Sequence, residues 1–392
     1  MTSIQEYFKI ADEQRNEFRD IALFIHSHPE LGFQEKLASA RLAEFLRKNG
    51  FAVEIPVGGY DTAIRATANC NNAADAPLVC VIGEYDALEI LGHGCGHNLI
   101  ATAAIAAAWT AKSYAERNGI PLNLCFMGTP AEEQFGGKAK LIQAGAFENV
   151  QLAIMAHGSG CTETDEGALG AAKAFITFHG KASHAAQAPE KGINALDAMM
   201  FFYQHIYQWK ATISPRERVH GIITNGGQAA NIIPDLTQAF FYVRSPELER
   251  LGILKKQLEE SVRYGAEKVG ATFEIDWHTQ DDPVKVNAPL NERYALYWHE
   301  AGKDIIRNTG KECRASTDMG NVTQIIPGAQ FRFSVNHESA CPLHSVEFRE
   351  AAATDWAIDS AIHTGAIMAR ILIDFTVDEK FRNSVRAAWN EA

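Results

Sequence analysis

Between residues 78 and 158 short apolar runs alternate with helix-forming ones, and no other feature constrains the fold as strongly. PLVCVIGEYDAL reads as a buried strand entering a polar turn, LIATAAIAAAWTAKSYAE as an Ala-rich helix, and PLNLCFMGTPAEE as a strand ending in acidic residues. A helix (GGKAKLIQAGA) and a further strand (VQLAIMAHG) follow. This order implies an α/β core with a mostly parallel sheet. Upstream, Ile4, Phe8, Phe18, Ile21, Leu23, Phe24 and Ile25 fall at helical spacing, and 37–48 repeats the pattern until Asn49-Gly50 stops it.

From about Ala174 the order changes. AFITFHG is a strand, INALDAMMFFYQHIYQWK a helix, VHGIITNGG and QAFFYVRS two strands, ELERLGILKKQLEESVRYGAEKVG a helix and ATFEIDWHT a last strand. That βαββαβ order is the ferredoxin-like unit. After Asp281-Asp282-Pro283 the α/β character resumes and reaches DWAIDSAIHTGAIMARILIDF. The expected organisation is therefore one domain split by another: 1–172 and 287–392 outside, 173–286 inserted. A chain of 392 residues is long enough for two such cores.

Charge and cysteine content narrow the function classes. With 48 acidic against 36 basic residues the formal charge is −12, spread without a basic run. Such a surface repels phosphate backbones and anionic lipid, so neither nucleic acid nor a membrane is an expected partner. The apolar run Leu99 to Trp109 is about half the ~20 residues of a membrane span, and the charged N-terminus does not read as a signal peptide. Seven sparse cysteines (70, 80, 95, 125, 161, 313, 341) are poor material for a disulfide framework. A cytoplasmic location is the expectation.

Ligands of α/β sheets gather at the carboxyl ends of strands. Here three successive strand ends deliver metal-capable side chains: His93, Cys95 and His97, then Glu132 and Glu133, then His157, with His344 arriving late in SACPLHSVEF. Cysteine, histidine and carboxylate together suit zinc or another late first-row divalent ion. A single glycine between Cys95 and His97 lets both side chains turn to one point. No paired C-x-x-C is present, and dispersion over the chain fits a catalytic site better than a structural knot. Taken singly, a Glu-Glu pair is a solvated turn, a strand-end histidine a satisfied core residue and a cysteine an inert one. Their joint placement at consecutive strand ends is what points to a site. In a loop, one glutamate of the pair can ligate while the other acts as general base toward the water.

Eight strings, HSHPELGFQE, GEYDAL with GHGCGHN, GTPAEEQFGG, MAHG, FHGKASHAAQAPEKGINALDA, GGQAANIIPD, STDMGNV and PLHSVEF, occur in that order over almost the whole chain. In them the sequence resembles the metal-dependent amidohydrolase and peptidase family of auxin-conjugate hydrolases, hippurate hydrolases and p-aminobenzoyl-glutamate hydrolase. CGHN with STDMGNV is most similar to the branch of p-aminobenzoyl-glutamate hydrolase and β-alanyl-lysine dipeptidase.

The resemblance implies two divalent ions, zinc or manganese with cobalt as a third option. Cys95 would bridge them, His97 and His157 would complete one site, and Glu133 and His344 the other. Glu132 would be the general base toward the bridging water. It also implies that the inserted unit is a lid that forms a homodimer, that His184 reaches the partner's site to stabilise the oxyanion, and that Asn231 binds substrate. Asp86 would orient a ligand histidine. Arg244, a strand arginine, reads as solvated and stays outside the site.

Two departures from the family pattern bear on the pocket. Asn98 and Ile100 stand where many relatives carry Asp and His, which predicts a less polar wall. Asp86-Ala87-Leu88 is followed by Glu89-Ile90-Leu91 where relatives have proline, which alters the loop before His93. The expected reaction is hydrolysis of the amide of an N-acyl or aminoacyl amino acid. The alternative substrate is a β-alanyl or ordinary dipeptide with a basic C-terminal residue. A non-catalytic metal-binding scaffold and a redox role for Cys95 are the rival classes; a scaffold has no need of a base beside its metal.

Overall fold

The computed structural model describes residues 3–308, 315–337 and 341–392. Cys313, and Ser339 and Ala340 of the SACPLHSVEF string, lie outside the described residues.

The chain opens with helices α1 (Ile4–Asp12), α2 (Arg15–Ser27) and α3 (Lys36–Lys48), then strands β1 (Ala52–Glu54), β2 (Ile64–Cys70) and β3 (Leu78–Glu84). Next come α4 (His97–Asn118), β4 (Leu122–Thr129), the short α5 (Glu132–Phe135), α6 (Gly137–Gln143) and β5 (Val150–Ser159). The second stretch holds β6 (Gly170–His179), β7 (Ser183–His184), α7 (Ala195–Lys210), β8 (Arg218–Asn225), β9 (Ile232–Ile233), β10 (Leu236–Ser245), α8 (Leu248–Val269) and β11 (Thr272–Asp281). Last are α9 (Ala288–Glu300), α10 (Met319–Ile325), β12 (Gly328–Ser334), α11 (Val346–Ala351), α12 (Asp355–Val377) and α13 (Glu379–Glu391). The helical spacing over 4–28 resolves into two helices. The break at Glu13 and Gln14 lets Ile4, Tyr7 and Ile10 on one and Phe18, Ile21 and Ile25 on the other both face inward.

Two compact units result: Met1–Gly167, Lys285–Cys313 and Asn321–Ala392 form the first, Ala168–Val284 and Arg314–Gly320 the second. The borders therefore fall at 167/168 and 284/285, where the sequence pattern placed 172/173 and 286/287. Residues 315–320 group with the inserted unit: Leu169 N donates to the Ala315 carbonyl (2.9 Å) and Arg244 Nη1 to Ser316 Oγ (2.9 Å). Arg244 is thus engaged by this segment and not simply solvated.

The first unit is built on a six-stranded sheet of order β1-β2-β4-β3-β5-β12. β4, β3, β5 and β12 run parallel, whereas β1-β2 and β2-β4 pair antiparallel. The parallel strands are the near-continuous apolar runs seen in the sequence, as burial on both faces demands. α4 and α12 cross closely: a Cβ on Gly365 would lie 2.5 Å from the Ala103 carbonyl oxygen, so the contact admits only glycine against an alanine-rich face. α12, not the Leu99 to Trp109 run, is the one described helix long and apolar enough to cross a membrane, and 83% of its apolar window is buried inside the protein.

In the second unit β11-β6-β10-β8 form an antiparallel sheet. Numbered within the unit this is the 4-1-3-2 order of a ferredoxin-like fold. α7 and α8 bury Phe202, Leu254 and Leu258 against Ile176, Phe178 and Phe241. An additional ribbon, β7 paired with β9, brings Ser183 opposite Ile233 and His184 opposite Ile232.

Close to the border at 167, buried Asp165 accepts from Gly167 N (2.8 Å) and Gln330 N (3.0 Å). Burial pushes its pKa up to about 6 from an ordinary value near 4. The folded protein therefore holds this proton to higher pH than the unfolded chain does. The stabilisation is complete below about pH 4 and is lost as pH rises through about 6. Relative to wild type, Asp165→Asn should gain stability progressively between pH 4 and 7, by up to roughly 3 kcal/mol. Denaturation midpoints at several pH values check this, and a pH-independent difference between the two proteins would refute it.

Candidate metal centre

The ends of β3, β4 and β5 converge as parallel strands must, and the polar groups cluster there. Gly96, in the left-handed region at φ 78°, ends the loop after β3 and starts α4 at His97. β4 ends at Thr129, and Ala131, also left-handed at φ 60°, turns the chain so that Glu132 and Glu133 open the next helical turn. His157 lies near the end of β5. His344, with φ 60°, is fixed by donation from its own N–H to the Gly94 carbonyl (3.0 Å).

Ligand atoms of Cys95, His97 and His157 all lie within 4.8 Å of one another, as do those of Cys95, Glu133 and His344 and those of His97, Glu132 and Glu133. The first two triads share Cys95, whose Sγ is 3.5 Å from His157 Nε2. Glu133 Oε1 is 3.6 Å from His344 Nε2. His97 Nε2 faces Glu84 Oε2 at 3.6 Å, Glu133 Oε1 at 3.8 Å and Glu132 Oε2 at 4.0 Å.

The second layer fixes the tautomers. His97 Nδ1 donates to Asp86 Oδ1 (3.0 Å), and Asp86 Oδ2 accepts from Glu133 N (3.1 Å), so one carboxylate aligns two candidate ligands. His157 Nδ1 donates to the Gly158 carbonyl (2.7 Å). In both rings Nε2 is thereby the nitrogen turned toward the cluster, the orientation usual for metal-binding histidines.

Electrostatics mark the centre as cation-seeking. His97 Nε2, Glu84 Oε2 and Glu133 Oε1 are buried without a hydrogen-bond partner. Such orphaned groups cost roughly 1–3 kcal/mol each, and their mutual separations are too long for direct bonds. Burial opposes protonation of His97, yet Asp86 and Cys95 push its pKa well up. Burial also pushes the Cys95 thiol up and takes His157 down to about 4. Positive charge is wanted where the orphaned atoms converge, and divalent cations would supply it while converting Cys95 to thiolate. The donor set of one thiolate, imidazoles and carboxylates fits such ions.

Glu84 and Lys138 were not singled out in the sequence. Both are fully buried and ion-paired to each other, with Lys138 holding Glu84 ionised against the cost of burial. Glu84 was legible as a strand-end acid; a lysine in a helix's first turn reads as solvated and gave no signal. His93 stays outside the donor groups, packed toward His26 with ring centroids 6.1 Å apart and its pKa driven to about 3 by burial. Asn98 is a buried brace whose Nδ2 donates to the Ala352 carbonyl (2.9 Å), and Ile100 is buried as well. The altered loop closes as a tight turn in which Leu88 and Gly92 exchange hydrogen bonds, leaving Ile90 92% exposed.

His184 and Asn231 belong to the second unit and share its ribbon, where Ala185 N donates to the Asn231 carbonyl (3.0 Å). Ala186 N (3.3 Å) and Gln187 N (3.1 Å) donate to His184 Nδ1. The ring proton must then sit on Nε2, so the exposed edge of His184 is a hydrogen-bond donor.

Residues 167–269 match the peptidase dimerisation domain of the M20 family. Over 387 residues the chain is 34% identical to the Xaa-Arg dipeptidase of Mus musculus, covering 96% of this chain and 89% of that one. It is 33% identical over 272 residues to a p-aminobenzoyl-glutamate hydrolase chain from Escherichia coli K12, covering 62% and 55% respectively. A Bacillus subtilis protein described as a dinuclear metal-binding peptidase of the M20 family shares the fold, with a TM-score of 0.67 at 18% identity over 94% of this chain and 99% of that one.

Proposed function

This chain belongs to the M20 peptidase family of metal-dependent hydrolases, and from that premise we propose that it cleaves the amide bond of dipeptides ending in a basic residue. N-acyl amino acids are the second substrate class. The observation that carries the reading is the pair of donor triads sharing Cys95, with Glu132 beside them. Similarity to the Xaa-Arg dipeptidase extends over nearly the whole chain, which ranks the basic dipeptide first; similarity to the p-aminobenzoyl-glutamate enzyme covers less and keeps the second class open.

Two divalent ions would be held by donor sets that share Cys95, one completed by His97 and His157 and the other by Glu133 and His344. Zinc is favoured by the soft donors, with manganese or cobalt as substitutes. When bound, the ions would supply Lewis-acid polarisation of the scissile carbonyl and make water acidic enough to react near neutral pH. Glu132, 14% exposed by its side chain, takes the proton from the attacking water and gives it to the amine nitrogen as the C–N bond breaks. Asn231 hydrogen-bonds the substrate, and His184 donates through Nε2 to the oxyanion.

A homodimer is part of this reading. β8 is an edge strand, and on it and the adjoining α7 Ile222, Met200 and Tyr207 are more than half exposed. Pairing with a second copy through the inserted unit would cover them. Cytoplasmic residence fits a centre whose thiolate must stay reduced.

A panel of Xaa-Arg dipeptides, β-alanyl-lysine, p-aminobenzoyl-glutamate and N-acyl amino acids, assayed on metal-reconstituted protein, tests the substrate. Basic dipeptides should lead by at least about tenfold in kcat/KM, with close to two ions per chain, because one missing charge-matched contact changes discrimination by that much. Absence of cleavage across the panel by fully metallated protein would sink the proposal.

A further inference from the structure

Glu35 is a fully buried carboxylate with an unusual assignment of its hydrogen bonds. It occupies the N-cap position of α3 but does not cap that helix. Glu30 does so instead, its carboxylate accepting from Leu37 N (2.9 Å) and Ala38 N (2.9 Å). Glu35 is thereby free to turn inward, where Oε2 accepts from Thr62 Oγ1 (2.8 Å) and Oε1 from Ala131 N (2.9 Å).

Ala131 is the residue immediately before the Glu132-Glu133 pair, and its conformation is costly. A non-glycine residue at φ 60°, ψ 41° pays about 1 kcal/mol or more. Such a conformation persists only when its surroundings over-determine it. The surroundings here do so from several sides. The Ala131 carbonyl accepts from Phe135 N (3.2 Å) and Gly137 N (3.3 Å). A Cβ on Gly32 would come within 2.8 Å of the Ala131 methyl, and one on Gly137 would lie 1.7 Å from the Pro130 oxygen. Glycine at 32 and 137 lets the chain close around the turn, and the Glu35 carboxylate supplies a side-chain partner for the Ala131 amide.

We propose that Glu35 is a positioning residue: by holding the Ala131 amide it fixes the left-handed turn that aims Glu132 and Glu133 at the metal centre. The inference rests on the reading of Glu132 as general base. Glu35 is absent from the donor groups, and its carboxylate acts through the backbone of Ala131. A shift of the base by an ångström can cost on the order of a hundredfold in rate, whereas substrate contacts made elsewhere are untouched.

The test compares Glu35→Ala, Glu35→Gln and Glu132→Gln in metal-saturated protein. Glu35→Ala should lower kcat by roughly 10- to 100-fold with KM within about twofold. Hydrogen exchange over 130–137 in metal-free protein should accelerate in the same variant. Glu35→Gln, whose amide oxygen still accepts from Ala131 N, should restore both readouts to near wild type. Wild-type kcat in Glu35→Ala, or equal defects in the alanine and glutamine variants, would overturn the proposal while complete loss in Glu132→Gln leaves the base assignment standing. Retained turnover in Glu132→Gln would overturn both. Should Glu35→Ala not fold, Thr62→Val, which releases one carboxylate oxygen, should give a smaller fall in kcat at unchanged KM, and an unchanged kcat would equally overturn the role.

Discussion

Replacing Glu132 by glutamine should lower kcat by about 10²–10⁴-fold, the range in which general acid–base catalysis contributes, while the protein still binds its full metal complement. The amide is isosteric and can occupy the same volume beside His97, whose Nε2 is 4.0 Å from Glu132 Oε2. It cannot accept a proton from water at neutral pH. In the proposed donor sets Glu132 ligates neither ion: Cys95, His97 and His157 form one triad and Cys95, Glu133 and His344 the other. Loss of turnover should therefore be separable from loss of metal. The neighbouring Glu133→Gln supplies the contrast, because Glu133 Oε1 is a buried, unpartnered donor atom and its neutralisation should release metal along with activity. Metal analysis of the dialysed variants together with kcat on the best substrate decides it. Activity of Glu132→Gln within about tenfold of wild type would remove Glu132 from the role of base.

The parts of this centre that the sequence disclosed are those governed by topology. A parallel sheet delivers strand ends to one edge, so Cys95, His97, Glu132, Glu133 and His157 could be placed together from the order of apolar runs alone. The ferredoxin-like unit was legible for the same reason: the order of its four long strands and two helices is local in sequence. What stayed hidden depends on contacts distant along the chain. β2 alternates buried Ile64, Ala66 and Ala68 with polar residues, but nothing local says that it inserts antiparallel beside β4. The Glu84–Lys138 pair spans 54 positions, and Lys138 looks, from its own neighbourhood, like a solvated charge. Glu35 finds its partners 27 and 96 positions away, at Thr62 and Ala131, so nothing in its own neighbourhood marks it. The ribbon of β7 and β9 is too short to leave a periodic signal, yet it carries His184 beside the strand that follows Asn231.

The second large effect concerns His184. His184→Ala should reduce kcat by about 10²–10³-fold, the usual consequence of losing one oxyanion donor, in protein that remains folded. The ring's own hydrogen bonds support the role: two backbone amides donate to Nδ1, so Nε2 carries the proton and faces outward as a donor before any substrate arrives. Whether it serves its own subunit or the other is decided by mixing. In a two-fold dimer whose sites each combine their own Glu132 with the partner subunit's His184, a heterodimer of His184→Ala and Glu132→Gln chains has one complete site and one lacking both groups. Random reassociation of equal amounts makes half the dimers mixed, so activity should return to about a quarter of wild type from two nearly inactive parents. If each site used its own His184, every site in the mixture would lack one group and activity would stay at the parental level. Dissociating and reassociating the two variants, with an affinity tag on one of them to isolate the mixed dimers and establish that exchange has occurred, separates the arrangements. A histidine serving only the ribbon itself would leave kcat of His184→Ala unchanged, because its loss would cost two weak backbone contacts on an exposed turn and nothing at the metal centre.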